Sequence, residues 1–106
     1  MATGILGTAN LSATTNTTVY TVPASTFAVV TVSVCNRSAS TVTVRLASSA
    51  SGTPGNAEYL EYGTQILANG VLERSGIVLD ATKNIVVYSS ATDVNVVVYG
   101  IETSTA

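Results

Sequence analysis

The 106-residue sequence has no histidine, no tryptophan, one cysteine and two prolines. Charged residues make up 9 % of it, against ~25 % in an ordinary globular domain. Each shortage excludes a class of chemistry. Without histidine, and with Lys83 as the single lysine, a serine or cysteine nucleophile has no base to take its proton, so a catalytic triad is ruled out. Cys35 has no partner for an intrachain disulfide and reads as a small buried hydrophobe rather than a reactive thiol. Metal binding lacks its usual donors, because neither Asp80 nor Asp93 lies in a run of alternating oxygen ligands. No cofactor is expected, since no glycine-rich strand-to-helix segment could cradle a phosphate. The four basic residues, Arg37, Arg45, Arg74 and Lys83, are scattered rather than gathered into a stripe, which argues against a nucleic-acid partner. No apolar run approaches the ~20 residues that span a bilayer, and MATGILGTAN lacks the basic start and long apolar stretch of a signal peptide. The expectation is a chain made in a cytoplasm, with no membrane partner.

What is abundant is serine and threonine, 29 residues together, alongside short valine-rich runs. Such a chain covers its surface with uncharged hydroxyls. A formal charge of −2 gives little electrostatic defence against association, so packing against other proteins is favoured. The sequons at Asn10, Asn16 and Asn36 follow from this composition and read as turn chemistry.

Nowhere do apolar residues recur at helical spacing for long. Instead, Val/Ile/Tyr/Thr runs alternate with Gly, Asn, Ser and Pro, the pattern of strands and turns. Phe27–Cys35 and Thr41–Leu46, separated by the polar loop Asn36-Arg37-Ser38-Ala39-Ser40, are predicted to pair as an antiparallel hairpin. Ala28, Val30, Val32 and Val34 face one way, as do Val42, Val44 and Leu46, opposite Thr31, Ser33, Thr41, Thr43 and Arg45. Asn69-Gly70 predicts a second hairpin, with a type I′ turn between Gln65–Ala68 and Val71–Arg74. Further strands are expected at Thr17–Val22, Glu58–Tyr62, Ile77–Leu79 and Ile85–Tyr88, with Ser48–Gly55 a mobile loop. In Val94–Ile101, the residues Val94, Val96 and Val98 oppose Val97, Tyr99 and Ile101, so both faces of this strand call for cover. The predicted fold is all-β, an antiparallel β-sandwich of about seven or eight strands with jelly-roll or immunoglobulin-like topology. Residues 1–16 form an N-terminal arm or edge strand, and residues 17–106 a single sandwich domain.

Two further chemistries can be weighed on strands. Glu58 and Glu61 are the only close acidic pair, the one opening for a small hydrolase, but residues three apart on a strand point to opposite faces unless a bulge intervenes. Tyr20, Tyr59, Tyr62, Tyr88 and Tyr99 could stack on sugars, yet by the same period Tyr59 and Tyr62 cannot share one flat surface.

Four segments carry a resemblance: LSATTNTTVYTVPAST, VCNRSASTVTVRLA, AEYLEYGTQILANGVLERSGIVLDATKNIVVYSS and VNVVVYGIE. From about Gly4 to Glu102 the chain resembles a family of small virion structural proteins of tailed bacteriophages, cyanophages among them. The YLEYG…LANGVLERSGIVL stretch is its most distinctive part, and it is a scaffold signature. The resemblance implies a virion location after synthesis in the bacterial host. It also implies a non-enzymatic role as a capsid decoration (cement) protein on the major capsid protein. The alternative is a small tail, collar or baseplate component or a receptor- or glycan-binding module. Homo-oligomers, trimers among them, are expected. The predicted contact set is Ile5 and Leu6 of the arm together with Val97, Tyr99 and Ile101.

Overall fold

The computed structural model describes residues 2–105; Met1 and Ala106, the outer ends of the two expected segments, lie outside the described residues. The chain is all-β, with eight strands: β1 (Thr3–Asn10), β2 (Thr15–Thr21), β3 (Thr26–Asn36), β4 (Val42–Ser49), β5 (Tyr59–Ile66), β6 (Val71–Leu79), β7 (Asn84–Ser89) and β8 (Val94–Ser104). They form two antiparallel four-stranded sheets, sheet I in the order β1-β8-β3-β6 and sheet II in the order β2-β7-β4-β5. This interleaving is that of a jelly roll, a sandwich of two nested Greek keys. The N-terminal stretch is its edge strand: β1 pairs with β8 from Thr3↔Ile101 to Asn10↔Asn95.

Both predicted hairpins are corrected. β3 pairs with β6 and β8, and β4 with β5 and β7, so the chain crosses between sheets at Asn36–Thr41 instead of turning back beside itself. The Asn69-Gly70 corner likewise carries the chain from β5 in sheet II to β6 in sheet I. Its positive φ falls on Asn69 (59°) and not on Gly70, so the turn is not type I′. An arch presents its two apolar faces to each other across the core, whereas a hairpin presents them side by side. The alternation in β3 and β4 is the same in both.

The buried amide of Asn36 decides the matter for the first arch. Its Nδ2 donates to the carbonyl oxygens of Ser40 (2.8 Å), Ile66 (3.1 Å) and Leu67 (3.1 Å), and its Oδ1 accepts from the Ser38 amide (2.9 Å) and hydroxyl (2.7 Å). One side chain thus ties the β3–β4 arch to the β5–β6 arch. Of the other sequon asparagines, Asn10 ends β1 and accepts a bond from Arg37, while Asn16 lies within β2 and is not a turn residue.

Between the sheets lies a valine-rich core, in which Val30, Val32 and Val34 of β3 and Val94, Val96 and Val98 of β8 meet Val42, Val44 and Leu46 of β4 and Ile85 and Val87 of β7. Two close approaches demand glycine. A Cβ at Gly100 would lie 2.0 Å from the Val29 carbonyl oxygen, and one at Gly7 would lie 2.4 Å from that of Val19 where β1 meets β2. Ile77–Leu79, expected as a strand by itself, continues β6 past a bulge at which Gly76 takes φ +71°. Along the open side between the edge strands β5 and β6, Glu61 and Arg74 form an ion pair across the two sheets. On the opposite side Tyr20 donates to Glu102 at 2.5 Å; its burial and that carboxylate push the phenol well above its usual range.

Candidate interaction surface

β8 is central in sheet I, so its two faces meet different surroundings. Val94, Val96 and Val98 are sealed in the core. The opposite face, expected to be covered, is open: Ile101 is 54 % exposed. Pairing register assembles that face residue by residue. Ile101 of β8 stands opposite Val29 of β3, which stands opposite Val78 of β6, an apolar row across three strands. The row on one side of it joins Ile5 of β1 to Tyr99 of β8 and Thr31 of β3, and the row on the other side holds Phe27 of β3 opposite Thr103 of β8. Ile5 and Val78 are the most open, at 70 % and 68 %.

Of the predicted contact residues, the fold brings Ile5, Val97, Tyr99 and Ile101 to this one face. Leu6 is excluded, because it is the extra residue of a bulge between Ile5 and Gly7 and packs against the core. Phe27, Val29 and Val78 were not predicted, although Phe27 and Val29 stand in phase with Thr31 and Ser33 on the polar face of β3. Cys35 shares that phase and is half-buried on the outer face, not enclosed as a core residue. Six side chains of the face, Ile5, Phe27, Val29, Val78, Tyr99 and Ile101, leave roughly 600 Å² open, the upper end of the ~300–600 Å² patches typical of monomers. The charge at its margin is Glu73, whose carboxylate accepts the Tyr99 hydroxyl at 3.0 Å and thereby raises that phenol's pKa.

The outer face of sheet II is different in kind. Register places Tyr62 of β5, Arg45 of β4, Tyr88 of β7 and Asn16 of β2 in one row across all four strands. The Arg45 guanidinium lies 4.5 Å from the Tyr62 ring centre and 4.4 Å from that of Tyr88. Tyr59 meets Tyr62 edge-on at 4.8 Å, so the expectation that these two rings oppose each other is overturned. Tyr59 pairs with Ala47 and Glu61 with Leu46, which leaves Leu60 as an extra residue, and that insertion returns Tyr59 to the face of Tyr62.

Glu58 and Glu61 do not converge. Glu61 serves Arg74 and Thr64, while the Glu58 carboxylate accepts from the amides of Gly55 (2.8 Å) and Ala50 (3.0 Å) and the hydroxyl of Ser49 (2.8 Å). These donors, the Gly55 and Ala50 amides foremost, hold the Glu58 carboxyl below its ordinary range. They also tie the 50–58 segment to the end of β4, and a Cβ at Gly52 would lie 3.4 Å from the Thr18 hydroxyl; of Ser48–Gly55, expected as a loop, Ser48 and Ser49 belong to β4. Among the described residues no group of three His, Cys, Asp or Glu side chains is placed to hold a metal, and no pocket opens. No family model matches the chain, and no curated protein matches it.

Proposed function

We propose that this chain is a non-enzymatic structural subunit of a tailed-phage particle, a capsid decoration protein that binds the assembled head through the outer face of sheet I. The observation that carries the reading is the apolar row Ile101–Val29–Val78, flanked by Ile5 and Tyr99, lying open on the outer face of sheet I. An exposed apolar patch at the upper end of the monomer range is often functional, and a stable contact buries ~800 Å² on each partner, within reach of this face and its rim. A surface with few charges and many hydroxyls packs against neighbours at a lower desolvation cost than a charged one. Jelly rolls recur in viral capsid domains, an association at the level of fold. The resemblance of the sequence to small phage virion proteins points the same way.

The test is to count the chain in purified particles of the phage that encodes it, and to repeat the count with Ile5→Asp and Val78→Asp. Both sites are highly exposed, so folding should change by no more than ~0.5 kcal/mol. A charge buried at the contact costs several kcal/mol, and incorporation should collapse. Hundreds of copies indicate the head, whereas six, twelve or eighteen indicate the tail or neck. Absence from particles, or normal incorporation of both variants, defeats the proposal.

A further inference from the structure

We infer that the outer face of sheet II carries a shallow binding site for a carboxylate-bearing sugar, with Arg45 as the carboxylate ligand and Tyr62 as the stacking surface. This reading uses the opposite face of the sandwich from the proposed assembly contact and stands or falls independently of it.

Most of the charged side chains already have partners. Arg74 pairs with Glu61, Lys83 with Asp80 at 3.0 Å, and Arg37 donates to the Asn10 side chain at 2.7 Å. Arg45 is the one cation that, among the described residues, has no acceptor for its N–H donors. The tyrosines divide in the same way. Tyr20 and Tyr99 give their hydroxyls to Glu102 and Glu73, while those of Tyr59, Tyr62 and Tyr88 have no partner among the described residues. The unpaired cation and the three unpaired phenols therefore occupy one place.

Recognition chemistry follows from their arrangement. A guanidinium held between two aromatic rings is fixed in orientation before any ligand arrives, and its planar fork matches a carboxylate with two parallel hydrogen bonds. Stacking satisfies the faces of the cation and leaves its in-plane donors unused. Tyr62, 63 % exposed, offers an aromatic surface against which the C–H face of a pyranose packs, and Tyr59 braces that ring from its edge. Asn16 of the same row supplies an amide for sugar hydroxyls. The carboxylates nearest in sequence do not compete, because Glu58 is occupied by the loop and Glu61 by Arg74. A single cation is too few for a phosphate backbone, which binds through several. The bulge at Leu60 makes the site, since without it Tyr59 would lie on the far side of the sheet.

The experiment follows the tyrosine ring resonances of the full chain by NMR at constant ionic strength, during titration with sodium glucuronate, glucose, sodium acetate and an oligothymidylate. Expected is saturable binding of glucuronate in the millimolar range, with glucose and acetate each at least about tenfold weaker. Arg45→Met should lower glucuronate affinity about tenfold, to the level of glucose, and Arg45→Lys should not restore it. Tyr62→Ala should weaken glucuronate while leaving the fold unchanged. The inference is overturned if the wild-type chain gives no saturable shift up to about 50 mM, a range that covers millimolar affinity. It is equally overturned if acetate or glucose matches glucuronate, or if the oligothymidylate binds more tightly. The wild-type titration decides these outcomes even where a variant folds poorly.

Discussion

Replacing Asn36 should remove about a third of the stability of the whole domain, although the residue touches no ligand and lies at one end of the sandwich. Its amide has two N–H groups serving three carbonyl oxygens, and its oxygen accepts two further bonds, so at most four full hydrogen bonds are lost in Asn36→Ala. At ~1 kcal/mol each, the net cost is about 3–4 kcal/mol, set against the ~5–15 kcal/mol that holds a domain of this size. Because ~1 kcal/mol shifts the melting temperature of a small domain by about 4–8 °C, the midpoint should fall by more than ~10 °C. Asn36→Asp sharpens the test. It keeps the acceptor for Ser38 but turns a second carboxylate oxygen toward the carbonyls of Ser40, Ile66 and Leu67, where an ionised group has no partner. At pH 7 this variant should be less stable than Asn36→Ala. The buried carboxyl has a raised folded-state pKa, so its penalty is absent below the ordinary carboxyl range and grows as pH rises through that range. At about pH 3 the aspartate variant should therefore be the more stable of the two. The assay is urea unfolding followed by far-UV circular dichroism at the two pH values, with the slope checked for constancy. A loss under ~1 kcal/mol for Asn36→Ala, or an aspartate variant as stable as wild type at pH 7, would refute the view that this amide holds the two arches together.

Gly100→Ala should destabilise by about 3 kcal/mol or more, since the added methyl would sit 2.0 Å from the Val29 carbonyl and 2.8 Å from the Val30 Cα, both backbone atoms of the adjacent central strand. Gly55→Ala, whose nearest neighbour would be the Glu58 carboxylate at 3.7 Å, is the control and should stay within ~0.5 kcal/mol of wild type in the same unfolding assay. Glu58 has a folded-state pKa below its unfolded value of 4.5, so its contribution is complete above that pH and is lost as pH falls through the folded value. Glu58→Gln should therefore narrow the stability difference between pH 7 and pH 3, and an unchanged pH profile would show that the 50–58 loop does not depend on the carboxylate.

Much of this protein can be read from residue order alone. Period-two alternation is a property of the extended backbone, so the valines of β3, β4 and β8 announce strands and say which side of each is apolar. Four of the five predicted contact residues fall on one face because they occupy matching phases of β1 and β8. Two things depended on the tertiary structure. Whether β3 and β4 pair or arch is invisible to alternation, since either arrangement buries the same side chains; the choice rests on pairing with distant strands and on the Asn36 amide reaching Ile66 and Leu67. The second is phase across a bulge. Leu6 and Leu60 look like any other strand leucines, yet each is one residue too many for its partner strand. The first insertion turns Leu6 toward the core and the second brings Tyr59 round to Tyr62. A one-residue slip reverses every side chain beyond it, and only the length of the strand alongside determines where that slip is taken up.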